Sequence, residues 1–381
     1  MNNLGIVVIG YNRIQGMLRL LRSLENAEYN GDQVTLIVSL DNCGDDSVAK
    51  EARAFKWSHG EMRVRTFPER QGLRNHILSC GDFLKEFDAV AVLEDDIVVA
   101  PGYYSFMKQA VNYYKDNEQV AGISLYSHKI NVDANVPFVP QPGSKDVFFL
   151  QFAQSWGQVW MKNQWFEFKK WYLENRDCPV EATNVPTYVS GWPKTSWLKY
   201  HIKYCIEKKK YFVYPYDSLT TCFSDVGEHC KEANTRFQVP MSSQINDDYR
   251  FADITDDAVI YDAFFEREHM GHLMNLPDSE VCMDLYGVKE NREHKRYWIT
   301  QKAMPFKIIH SFGMEMRPHE CNIYNGIAGD VIRVYDTAES EQIRKIQLAD
   351  FTHMNYYYNI VAEWGKVIGY VLARVGKKIK K

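Results

Sequence analysis

The sequence predicts an α/β fold, a doubly wound and mostly parallel sheet with helices on both faces. Two observations carry that prediction. Unbroken apolar runs alternate with helical patterns from Leu4 to Ser124, the signature of strands buried on both faces and joined by crossover helices. Three polar clusters, Tyr11-Asn12-Arg13, Asp41-Asn42 and Glu94-Asp95-Asp96, stand where those runs end. In open α/β sheets that carboxyl edge is where ligands bind.

Each element follows from its pattern. Leu4 to Ile9 is a continuous apolar run closed by Gly10, a buried strand. Arg13 to Leu24 spaces Ile14, Met17, Leu18, Leu21 and Leu24 as a helix does. Val34 to Leu40 predicts the second strand, Asp45 to Phe55 a helix, Arg63 to Thr66 a short third strand and Leu73 to Phe87 a helix. Ala89 to Leu93 predicts a strand running into Glu94, then Pro101 to Tyr114 a helix and Val120 to Ser124 a fifth strand. From about residue 130 the chain turns rich in Pro, Asn and Trp (Pro137, Pro140, Pro142, Trp156, Trp160, Trp165, Trp171), which suggests a second half covering the same sheet edge. Strands are further expected at Lys307–Met316 and Asp330–Tyr335. The expected division is 1–128, 129–245, a mixed α/β extension over 246–355, and a terminal helix over 356–381.

The bulk numbers narrow the function. A formal net charge of −4 argues against general nucleic-acid binding, which needs a basic surplus. Aromatic residues make up 14% of the chain, a content that suits sugar binding but that core packing would also explain. The eight cysteines include no Cys-x-x-Cys pair, so no zinc-ribbon or thioredoxin signature is present. With no charged leader and no apolar run of membrane-spanning length, a cytoplasmic location is expected.

Glu94-Asp95-Asp96 carries the chemistry. A divalent cation held by one or two carboxylates keeps coordination sites for phosphate oxygens, and Mg²⁺ or Mn²⁺ suits such an oxygen-rich site. Three acids at a strand end would equally form a solvated loop, or acids for the helix that follows.

The segments "VVIGYNR", "SLDNCGDD", "QGLRNH" and "VLEDDIVVAPGYY" together resemble glycosyltransferases of the GT-A fold. The likeness is to bacterial family-2-type polysaccharide transferases and to the N-acetylglucosaminyltransferase I type, over residues 4–125 and more loosely to 235. It implies a GT-A-type Rossmann-like sheet with acceptor-side elements and a C-terminal extension. It also implies transfer of a hexose or N-acetylhexosamine from a nucleotide diphosphate, UDP foremost, to a glycan in bacterial surface polysaccharide synthesis. By that resemblance Gly10, Tyr11 and Arg13 border the donor diphosphate, and Asp41 accepts from uracil N3–H. Gly72, Arg74, Asn75 and Glu94 belong to the donor pocket, Asp95 lies by the ribose or sugar, and Asp96 ligates Mn²⁺ or Mg²⁺. "QSWGQVWMKNQW" and "GWPKTSW" resemble the acceptor side and bring in Trp156, Gly157 and Trp192. "SDVGEHC" resembles the loop that follows, which implies His229 close to the diphosphate and metal. Bland readings stand beside these: Arg13 as a helix-start charge, Asp41 as a turn-former and Arg74 as an exposed helical residue.

One departure concerns the base that an inverting transfer needs within reach of the attacking hydroxyl. The Asp expected after the residue matched by Trp197 is replaced by Leu198-Lys199. Asp225 and Glu228 are the substitutes, with Asp95 a third catalytic carboxylate. Two rival functions remain, a sugar-nucleotide pyrophosphorylase and a non-catalytic carbohydrate-binding protein of the same fold. At the C-terminus Ile360, Trp364, Val367, Ile368, Val371 and Val375 share a helical face beside a Lys-rich end. That pattern fits a helix packed on the core or one lying on an anionic membrane. A lipid-linked glycan acceptor would favour the second, at the inner face of the cell membrane.

Overall fold

The computed structural model describes residues 3–181, 185–223, 225, 235–255 and 257–342. Glu228, His229 and the expected terminal helix over 356–381 lie outside the described residues.

The first half is built as its pattern predicts. Strands Leu4–Gly10 (β1), Thr35–Leu40 (β2), Met62–Thr66 (β3) and Ala89–Glu94 (β4) pair in parallel in the order β3-β2-β1-β4. Helices Ile14–Glu25 (α1), Ser47–Ala54 (α2) and Gly72–Cys80 (α3) connect them. The unbroken apolar run of β1 has a direct cause. Ile6 and Val8 pack with Met17, Leu20 and Leu24 of α1 on one face, whereas Val7 and Ile9 pack with Ile77 and Leu84 on the other. A strand with a core on each side has no solvent face to make polar. The chain leaves β1 for β2 and β3 on one side, then crosses back to β4 on the other. The switch point of the sheet therefore lies between the carboxyl ends of β1 and β4, the place where doubly wound folds bind ligands.

Ile97–Val99 (β5) and helix Tyr103–Tyr114 (α4) follow, then Val120–Ser124 (β6) and the small pair Ile130–Asn131 (β7) and Val136–Pro137 (β8). Val147–Leu150 (β9), Gln158–Met161 (β10), Tyr211–Pro215 (β11) and Ile260–Tyr261 (β13) extend the main sheet beyond β4 in the order β10-β6-β11-β9-β13, with Thr220–Cys222 (β12) paired separately to β5. Helices Lys162–Asn175 (α5), Thr187–Ser190 (α6) and Leu198–Lys208 (α7) belong to this half. A separate four-stranded sheet takes Val281–Asp284 (β14), Tyr297–Thr300 (β15), Phe306–Phe312 (β16) and Ile332–Ser340 (β17), with helix Cys321–Tyr324 (α8) between the last two. It buries a core of its own around Met270, Met283, Ile299 and Val334.

Two expectations need correction. The helix expected over Leu73–Phe87 gives way after Cys80 to a 3-10 turn over Gly81–Lys85. A Cβ at Gly81 would sit 1.9 Å from the Trp165 indole, so only glycine admits that ring. Trp160, Trp165 and Trp171 do not reach the sheet edge. They are 1%, 2% and 6% exposed, and Trp160 stacks on Trp165 at 3.9 Å.

Candidate active site

Helix α1 acts as a ruler for the acidic turn. The link from β1 to α1 is only Tyr11-Asn12-Arg13, so the first turn of the helix stands at the switch point. Arg13 forms an ion pair with Asp95 and lies 3.5 Å from Asp96. One turn on, a Cβ at Gly16 would stand 2.5 Å from the Asp95 carbonyl oxygen. Glycine is what lets the helix press on that backbone. Further along, the Ser23 hydroxyl accepts from the Val99 N–H at 3.2 Å. Residues 13, 16 and 23 thus track the chain from 95 to 99.

The acids are under electrostatic stress. Burial pushes Glu94 well above the usual carboxylate range, with Asp96 and Asp95 adding to the shift. Burial also lifts Asp95 to about 6, against the pull of Arg13. Asp96 is raised for the same first reason. Three clustered carboxyls face one guanidinium, and Asp96 Oδ1 is buried with no hydrogen-bond partner. An orphaned carboxylate oxygen beside excess negative charge suits a cation. Among the described residues no three His, Cys, Asp or Glu side chains form a metal cluster.

Beside the acids lies a cavity of about 330 Å³, lined by Tyr11, Leu40, Asp41, Asn42, Gly44, Val48 and Phe67 among others. Gly10 joins the two parts. A Cβ there would lie 2.9 Å from Leu40 and 3.7 Å from Asp95 Oδ2. Asp41 is 7% exposed. Its Oδ1 accepts from the N–H groups of Asn42 at 2.8 Å and Gln71 at 2.7 Å, and its Oδ2 from that of Gly72 at 2.9 Å. Gly72 holds φ +71° to present that N–H, a conformation other residues resist. Asp41 is therefore the anchor of the cavity wall, with about one of the four lone-pair positions of a carboxylate left over.

No family model and no curated protein matches the chain. Solved structures match it only weakly and in part. A mannosyltransferase from Pyrobaculum calidifontis, in complex with GDP-Man and Mn²⁺, is 12% identical over 50% of each chain with a TM-score of 0.32. Residues 1–349 of TarS from S. aureus are 12% identical, covering 57% of this chain and 59% of that one, with a TM-score of 0.35. The same fragment in complex with UDP-GlcNAc is 13% identical over 61% of each chain, with a TM-score of 0.38. The chain thus spans 50% to 61% of the length of these structures. At these identities and TM-scores the matches carry no argument about this chain, and its chemistry has to come from its own residues.

The remaining residues singled out by the resemblance divide. Trp156 is half-buried, with Phe237 at 4.8 Å and Tyr126 at 5.0 Å between ring centroids. Gly157 holds φ +101°, and a Cβ there would meet Thr220 at 2.8 Å. Trp192 packs edge-on to Tyr188 at 5.5 Å. Asn75 bonds back to the Gln71 carbonyl at 3.2 Å. Arg74 does not line the cavity beside Asp41, and it is no free surface charge either. Its Nε donates to the Tyr172 hydroxyl at 2.7 Å, Nη1 to the Lys194 carbonyl at 3.1 Å and Nη2 to the Arg176 carbonyl at 2.8 Å. It rivets α3 to α5 and to the chain before α7.

Asp225 reaches the acidic turn through β12, which pairs antiparallel with β5. One step beyond the pairing, Phe223 N–H donates to the Asp96 carbonyl at 2.6 Å. Asp225 forms an ion pair with Arg19, whose guanidinium lies 3.7 Å over the Phe223 ring. Sequence reasoning missed Gly16 and Arg19. A glycine inside a helical pattern was the available signal, because it marks a close backbone approach.

Proposed function

We propose that the chain is a glycosyltransferase that moves a hexose or N-acetylhexosamine, with inversion, from a nucleotide diphosphate sugar to a glycan acceptor. UDP is the proposed carrier. The orphaned, buried Asp96 oxygen at the switch point, next to a cavity of nucleoside size, supports this reading most directly. In this account Asp96 holds Mn²⁺ or Mg²⁺, which when bound neutralises charge on the leaving diphosphate. Arg13 shares that anionic load, Tyr11 and the wall anchored by Asp41 receive the base, and Trp156 offers a flat apolar face to the acceptor sugar. Asp95 and Asp225 are each held in an ion pair, with Arg13 and Arg19.

The pyrophosphorylase reading loses ground on geometry. A triphosphate needs a glycine-rich loop of backbone N–H groups, and the three-residue link from β1 to α1 has no length for one. Thermal melts with a panel of nucleotide sugars, with and without Mn²⁺, test the proposal, because a ligand of the native state raises its melting temperature. A single donor is expected to stabilise the protein in a Mn²⁺-dependent way. No shift with any of them would sink the transferase reading. We further place the enzyme at an anionic membrane surface through residues 356–381. Failure of the full chain to sediment with anionic liposomes at low salt would end that part.

A further inference from the structure

We propose that the cleft between the main sheet and the C-terminal four-stranded sheet is a second ligand site, which takes an anionic sugar, a saccharide carrying a phosphate or a carboxylate. The cavity there measures about 570 Å³, within the size range of small-molecule sites. Its walls come from both sheets, with Tyr211 of β11 on one side and Val281 and Met283 of β14 on the other.

Arg267 makes the case for an anion. It lines this cavity and is 8% exposed. Its Nη1 donates to the Ile260 carbonyl at 3.1 Å and its guanidinium lies 5.8 Å from the Tyr261 ring centre. Its Nε is buried without a partner. No carboxylate of the described residues forms an ion pair with it. Glu320, whose charge reaches Arg267, is bound by the Tyr261 hydroxyl at 2.6 Å. A buried guanidinium with one hydrogen bond and no ion pair among the described residues is unfavourable until an anion completes it.

The other charges around the cavity are already matched. Lys289 pairs with Asp262, Lys295 lies 3.9 Å from Glu293, Glu268 accepts from the Tyr211 hydroxyl at 2.9 Å with His269 at 3.8 Å, and Asp278 accepts from the Gly271 N–H at 2.5 Å. Lys209 is the exception. Exposed at the end of α7, it lines the cavity and forms no ion pair among the described residues. Two cations without an ion pair among the described residues therefore face a space far larger than a bare phosphate. Gln119, Gln151, Thr255 and Ser279 supply donors and acceptors for hydroxyl groups. Tyr211, 9% exposed, shows no open ring face on which a base would stack. A charged sugar fits this lining better than a nucleotide does.

Calorimetry on the full chain, with the donor site saturated by UDP and Mn²⁺, tests the site. The probes are glucose 1-phosphate, glucuronate, neutral glucose and sodium phosphate. At least one of the two charged sugars is expected to bind saturably, and whichever is tighter identifies the anion as phosphate or carboxylate. Glucose and phosphate alone should bind more weakly. Arg267→Gln should weaken the charged sugar on the order of tenfold or more, the worth of a charge-assisted hydrogen bond. Lys209→Gln, at an exposed position that leaves folding intact, should weaken it to a lesser degree, and UDP binding should persist in both variants. No binding of either charged sugar, or equal binding by the parent and both variants, overturns the proposal.

Discussion

Asp41→Ala separates an anchor from a base reader. The carboxylate accepts three backbone N–H groups, from Asn42, Gln71 and Gly72. A buried donor left unmatched costs about 1–3 kcal/mol. All three residues are half-buried, so water satisfies part of the loss, and roughly 2–4 kcal/mol remains for the set. At about 2–4 °C per kcal/mol for a sizeable domain, the melting temperature should fall by roughly 5–15 °C. Asp41→Asn should cost less. Its oxygen can keep both bonds made by Oδ1, and only Gly72 meets an amide that donates where an acceptor stood. That single conflict is worth about 1–3 kcal/mol. Thermal melts of the two variants, with UDP calorimetry on each, make the test. Melting within about 2 °C of the parent for both, below the shift from 1 kcal/mol, with UDP affinity down tenfold or more, would refute the anchor. The carboxylate would then be reading the base.

Gly16→Ala adds a methyl 2.5 Å from the Asp95 carbonyl. Overpacking of about 1–3 kcal/mol is partly offset by about 1 kcal/mol of helix propensity, so turnover should fall much further than the melting temperature. Unchanged turnover would mean that the turn tolerates a shifted α1. For the Arg19–Asp225 pair, Arg19→Asp and Asp225→Arg should each impair activity, and the double exchange should restore a good part of it. A double exchange no better than the single variants would show that the ion pair does not position the chain beside Asp96.

How legible all this was in the sequence varies with what each residue touches. β1, β2 and β4 lie between two cores, so their apolar runs are unbroken and their carboxyl ends could be located within a residue. The runs Val147–Leu150 and Tyr211–Pro215 are four and five residues long, too short to separate from buried helix by pattern alone. The acidic turn was legible because three acids after a buried strand are costly without a purpose. Arg74 was not, because its partners lie 98 to 120 residues away, beyond any local pattern. The tryptophans misled for a related reason. Composition says that indoles are present, whereas only packing says that Trp160 and Trp165 stack on each other in the core.

The central claim is that Asp96 holds a divalent cation against the leaving diphosphate. Its most direct test is the Mn²⁺ dependence of sugar release from the donor that the melting panel selects, in the parent and in Asp96→Asn. The parent should turn over with Mn²⁺ or Mg²⁺ and stop in EDTA. The variant, with its melting temperature kept, should lose on the order of a hundredfold or more, the effect of several kcal/mol of lost charge stabilisation. Equal turnover by the parent in EDTA, or near-parental turnover by Asp96→Asn, would contradict the account.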